Sequence, residues 1–84
     1  MSEGKPRTDQ DLDPNVALGA LIAELREQAK LSQEELGARA ELDEREVAAI
    51  EVGQLEPTWG DLRRIARALS VPLPELLARL ERPD

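Results

Sequence analysis

Eighty-four residues make one small domain, a size at which folding buries only about 60% of the unfolded chain's surface, so a single domain with no second one is the expectation. The chain has no Cys, His, Tyr or Phe, which removes disulfides, thiolate metal sites, the commonest general base and most base-stacking side chains. Its formal charge of −7 is the reverse of the basic surface that usually holds nucleic acid, so where the carboxylates lie matters more than their sum.

Residues 1 to 13 are polar, charged and without apolar periodicity, the composition of a disordered acidic leader. Glu3, Asp9, Asp11 and Asp13 against Lys5 and Arg7 place −2 within residues 1 to 15 and leave −5 for the rest of the chain. No segment has the roughly 18 apolar residues of a membrane span, and the first residues lack the hydrophobic stretch of a secretory signal. The expectation is a soluble cytoplasmic protein without membrane contact.

The pattern changes at Asp13-Pro14, where a side-chain acceptor at the N-cap precedes a proline in the first turn, the start of a helix. Leu18, Leu21, Ile22 and Leu25 then recur at helical spacing as far as about Ala29. Ser32-Gln33-Glu34-Glu35 matches the capping box, in which the Ser hydroxyl accepts from the amide three residues on and the Glu reaches back. It opens a second helix over about 32–40. Asp43-Glu44-Arg45-Glu46 repeats the arrangement before Val47 and Ile50, and Gly53 closes this short third helix. Thr58-Trp59-Gly60-Asp61 begins a fourth with Leu62, Ile65, Ala66 and Leu69 inward; Pro74 with Leu76, Leu77 and Leu80 marks a fifth. No strand pattern appears, so the fold class is all-α, a compact five-helix domain over residues 14–81.

Two capped helices joined by a turn of three or four residues form a helix-turn-helix, whose second helix enters the DNA major groove. Gly37 supplies a small residue where the two helices must approach. The segments LREQAKLSQEELGARA, IEVGQLEPTWGDLRRIARALSV and LPELL resemble the phage-repressor and Cro type of helix-turn-helix domain, the xenobiotic-response-element family, from Leu18 to Leu77. The resemblance implies a lambda-repressor-like fold and a sequence-specific, DNA-binding transcriptional regulator that uses residues 43–52 as its recognition helix on double-stranded DNA. It further implies that Gln33 contacts phosphate and a base, that Glu44, Arg45, Glu46 and Ala49 face the groove, and that Gly53 and Gln54 offer backbone amides to phosphate. Arg26 and Glu51 stand where relatives pair across the domain. Glu41 stands where relatives have a turn glycine, and a side chain in the left-handed region costs about 1 kcal/mol.

Chemistry grades these candidates. Gln33 can pair with adenine N6 and N7, Arg45 can bridge guanine O6 and N7, Ala49 can touch a thymine methyl, and Glu44 or Glu46 can accept only from cytosine N4. Lys30 is a backbone-phosphate candidate. Asp43 and Glu46 lie beside the positive end of the third helix and are first of all caps; Glu44 has no capping duty and is the better functional candidate. Arg63, Arg64 and Arg67 form a basic cluster on the fourth helix that reads as a solvated face. Leu73, Leu76, Leu77 and Leu80 put more apolar surface on the fifth helix than a small domain easily covers, and with Trp59, packed partly against that helix, they are the expected homodimer interface.

No nucleophile–base pair, phosphate loop or metal-ligand cluster stands out, and Gly19, Gly37, Gly53 and Gly60 are isolated. No enzyme, cofactor or metal is therefore expected. The competing expectation is a helix-turn-helix fold whose acidic face meets a basic protein partner instead of DNA.

Overall fold

The computed structural model describes residues 13–81. Apart from Asp13, the leader expected at residues 1 to 13 lies outside them. Five helices follow one another, α1 (Pro14–Gln28), α2 (Gln33–Ala40), α3 (Glu44–Glu51), α4 (Trp59–Ala68) and α5 (Leu73–Glu81), and the described residues contain no strand.

The helix starts are set by short-range chemistry. Asp13 Oδ1 accepts from the Asn15 amide at 2.9 Å, and Pro14 occupies the first helical position, where its missing N–H goes unneeded. Before α2 the Glu35 amide donates to Ser32 Oγ at 2.9 Å and the Ser32 amide to Glu35 Oε1 at 2.8 Å. Thr58 and Asp61 exchange the same two bonds before α4, each at 3.0 Å.

The helix stops were less visible in the sequence, because three of them use no glycine. Lys30, Glu41 and Ser70 have φ of 62°, 61° and 60°, a conformation that costs an L-residue roughly 1 kcal/mol or more. In each case the next residue returns its amide to the helix: Leu31 to Arg26 O at 3.1 Å, Leu42 to Gly37 O at 2.8 Å and Val71 to Ala66 O at 3.0 Å. Leu31, Leu42 and Val71 also pack against the core. This is the Schellman arrangement, in which a buried apolar contact and satisfied carbonyls offset the strained residue.

α1 crosses α3 with Gly19 at the contact. A Cβ at Gly19 would collide with the Ile50 carbonyl oxygen and lie 2.6 Å from that of Glu51, so the two helices meet backbone to backbone. Gly37 does the same within the helix-turn-helix, where a Cβ would stand 2.6 Å from Leu42 O. Around these contacts Leu18, Ile22 and Leu25 of α1, Leu36 and Ala40 of α2, Val47 and Ile50 of α3, and Leu62, Ile65 and Ala66 of α4 form one core, closed by Leu69 and Leu76.

Three expectations change here. Leu76 is fully buried and offers no surface to a second copy; its side chain completes the core, while Leu73, Leu77 and Leu80 are only partly covered. Trp59 is 59% exposed, not packed away against α5, because it occupies the first position of α4 and the buried residue at that end is Pro57. The basic cluster on α4 is split. Arg64 Nε donates to Ala40 O at 2.8 Å, capping the end of α2, and its Nη2 meets Asp61 Oδ1 at 2.6 Å, whereas Arg63 and Arg67 are exposed.

Candidate nucleic-acid interface

α3 is amphipathic by a narrow margin. Val47 and Ile50 anchor it in the core, which leaves Glu44, Arg45 and Glu46 exposed and Ala49 half-buried on the outer side. The chain then turns back along the helix, and Asp43, Arg45, Glu46, Ala49, Gln54 and Leu55 line one open groove. Four of the residues expected to face DNA thus come together: Arg45, Glu46, Ala49 and Gln54. Glu44 is exposed at the first position of α3 but is outside the groove lining, as are Lys30, exposed after α1, and Gln33, half-buried at the first position of α2. Leu55, 38% exposed, is a groove residue that sequence reasoning missed; nothing in its spacing distinguishes it from a loop apolar residue.

The carboxylates divide by task. Glu46 Oε1 accepts from the Asp43 amide at 2.9 Å, so it closes the start of α3 while also lining the groove. The Asp43 carboxylate stands 3.8 Å from Arg45 Nη2, a loose contact between side chains that are 60% and 92% exposed. Such an exposed pair holds Arg45 weakly and leaves it able to turn to another acceptor.

The loop amides behave differently from the expectation. Gly53 N–H donates to Ile50 O at 3.1 Å and Gln54 N–H to Ala49 O at 2.9 Å, with the Leu55 amide also on Ala49 O at 3.2 Å. The last carbonyls of a helix lack intrahelical donors, and these carbonyls have drawn in the amides that a phosphate would need. Gln54 itself is exposed and lines the groove.

Behind the groove lies a polar hub. Arg26 Nε donates to Glu51 Oε2 at 2.6 Å and Nη2 to Oε1 at 3.2 Å, while Nη1 donates to Leu31 O at 2.8 Å. The Arg26 and Glu51 side chains are 13% and 5% exposed. The hydrogen bond that Arg26 donates to Glu51, opposed by burial and reinforced by the charges of Glu51 and Glu27, holds the guanidinium above its already high ordinary pKa. Gln33 joins them, Nε2 donating to Glu51 Oε1 at 2.8 Å. Helices α1, α2 and α3 are tied at a single carboxylate. Sequence reasoning set Gln33 apart from this pair; 18 residues separate it from Glu51, and only the folded helix-turn-helix brings them together.

Among the described residues no group of three or more His, Cys, Asp or Glu side chains could hold a metal ion, and no helix is long and apolar enough to cross a membrane.

Residues 17–80 match a family model described as a helix-turn-helix domain. Among solved structures, the restriction-modification controller protein C.AhdI from Aeromonas hydrophila is 34% identical, with 73% of this chain and 92% of that one covered at a TM-score of 0.71. ComR from S. thermophilus is 32% identical over 80% of this chain and 23% of its own, also at 0.71. The clp gene regulator ClgR from Corynebacterium glutamicum shares the fold at a TM-score of 0.76, with 21% identity over 80% of this chain and 71% of that one. No curated protein sequence matches the chain.

Proposed function

The chain belongs to the helix-turn-helix domain family, and from that premise we propose that it is a sequence-specific, DNA-binding regulator of transcription, with α3 as the helix that enters the major groove. The observation that carries the reading is the outer surface of α3. Arg45, Ala49 and Gln54 share one open groove on a helix that is fixed from behind by Val47, Ile50 and the Arg26–Glu51 pair. Arg45 supplies a donor fork for guanine, Ala49 a methyl contact, and Gln33 and Gln54 amides for base edges or phosphate.

The acidic rim acts on specificity. Few cations stand near the groove, so few phosphates are neutralised and sequence-independent binding is weak. Asp43 and Glu46 serve the helix start, and Glu44 repels duplexes whose bases do not compensate. A groove of this kind binds little DNA except its own site. Two copies related by a two-fold axis read a near-palindrome, with Trp59, Leu73, Leu77 and Leu80 as the surface through which they associate.

The same carboxylates favour a second reading, in which Asp43, Glu44 and Glu46 receive a basic segment of another protein. One measurement separates the two. Binding of the chain to a pool of random duplexes, titrated with salt, yields a preferred sequence and a shallow salt slope of about 0.9 per phosphate contacted on the DNA reading. Absence of any bound duplex at low salt rejects it and leaves the protein partner.

A further inference from the structure

We infer that Glu51 is a positioning residue of the reading surface: by accepting one N–H of the Gln33 amide, its buried carboxylate fixes which edge of that amide a base meets, and so selects adenine over guanine. The inference rests on the major-groove reading above.

A glutamine at a surface can turn its amide over and present oxygen or nitrogen in either order. Gln33 is denied that freedom. Glu51 is held by two donors of Arg26, at 2.6 and 3.2 Å, and a carboxylate in that state accepts hydrogen bonds and donates none. Only the amino end of the Gln33 amide can face it, as the 2.8 Å contact from Nε2 to Glu51 Oε1 shows. Gln33 is a half-buried residue, and once Nε2 has given one N–H to Glu51, the carbonyl oxygen and the second N–H are the groups left to meet a base.

That remainder matches one base edge. Adenine presents a donor at N6 and an acceptor at N7, which the carbonyl and the remaining N–H satisfy together. Guanine presents two acceptors, O6 and N7. With one N–H committed to Glu51, Gln33 has a single donor for them, and its carbonyl oxygen is left against another oxygen. Arg26 does not touch the base; its two hydrogen bonds hold the carboxylate in place.

The test starts from the duplex that the full chain selects out of a randomised pool. Competition binding compares it with versions in which each adenine in turn becomes guanine, for the parent chain, Gln33→Ala, and the paired variant Arg26→Met/Glu51→Met, which removes both charges at once. The parent is expected to lose roughly tenfold or more at one adenine, the discrimination typical of a two-bond contact. At that adenine Gln33→Ala discriminates little, and the paired variant binds DNA with its adenine preference reduced several-fold, although Gln33 is intact. A folded paired variant that keeps the parent's preference overturns the inference, as does a Gln33→Ala profile identical to the parent's. If the paired variant does not unfold cooperatively, side-chain amide exchange in the parent decides. One Gln33 amide proton protected from solvent supports the tether; two protons exchanging as in free glutamine overturn it. A parent chain that binds no duplex at low salt refutes the DNA reading itself and this inference with it, whereas DNA binding that is insensitive to Gln33 refutes the inference alone.

Discussion

Arg26 is the residue whose loss should be felt most. Its side chain and that of Glu51 are nearly out of solvent, so Arg26→Ala strands a buried carboxylate and is expected to destabilise the chain by about 3 to 5 kcal/mol, whereas a paired apolar replacement is close to neutral. Urea denaturation of the single and double variants measures the contrast, and a harmless Arg26→Ala would contradict it. The raised pKa of Arg26 fixes the sign of any pH effect: stabilisation is complete below the ordinary arginine value and lost only above it, so the guanidinium contributes no pH dependence near neutrality. On the opposite side of α3, Arg45 is 92% exposed and has no part in the core. Arg45→Ala should therefore leave the melting temperature unchanged and weaken binding to the selected duplex by about 1 to 3 kcal/mol, the worth of a bidentate base contact. Glu44→Gln should raise affinity for arbitrary duplexes and reduce the ratio of specific to non-specific binding. Competition titrations at fixed salt read both, and a Glu44→Gln chain that binds random DNA no better than the parent would count against the repulsive role.

At the scale of the helix, the backbone contacts matter more than the side chains that surround them. A methyl group at Gly19 has no room beside the carbonyls of Ile50 and Glu51. Gly19→Ala, ordinarily a helix-stabilising change, is thus expected to lower stability by about 1 to 3 kcal/mol through overpacking and to shift α3 relative to α1; a higher melting temperature would show that the two helices part without penalty. Glu41 gives the opposite case. It sits at φ 61° with its side chain 79% exposed, so Glu41→Gly removes strain and sacrifices little more than a contact at 4.0 Å to Arg64. It should raise stability by up to about 1 kcal/mol, about 4 to 8 °C in a domain of this size. Both glycine-related effects were half legible. The missing turn glycine at position 41 stands out against the family pattern, but Gly19 looked like any small residue in a helix, because the carbonyl it accommodates belongs to a helix 31 residues later in the chain.

For the whole molecule the main question is association. Leu76 is consumed by the core, so a homodimer has to rely on the partly covered Leu73, Leu77 and Leu80 and on exposed Trp59. Each copy carries −7, and like charges repel over about 8 Å at physiological salt and over about 30 Å at 0.01 M. Dimer affinity is therefore expected to rise with ionic strength over the range in which DNA affinity falls. Light scattering across a salt series, with Trp59→Ala as control, checks this; a monomer at high micromolar protein in every salt would remove the dimer. For such a dimer on DNA, two-fold symmetry is expected to set the two copies of α3 about 34 Å apart.

The sequence by itself determined the five helices, most of their caps, the helix-turn-helix and many apolar core positions, though not Leu36, Ala40 or the burial of Leu76, since each of these readings depends on residues a few positions apart whose periodicity and capping chemistry are local. It also marked Arg26 and Glu51, through resemblance rather than spacing. Only the tertiary structure decided which of the exposed polar groups are already engaged. The Gly53 and Gln54 amides were spoken for by α3's own carbonyls, Arg64 by the end of α2 and one N–H of the Gln33 amide by Glu51. A residue type states what bonds a side chain is able to make, but the partner that takes them is fixed by contacts across the fold, and those contacts decide what is left to meet DNA.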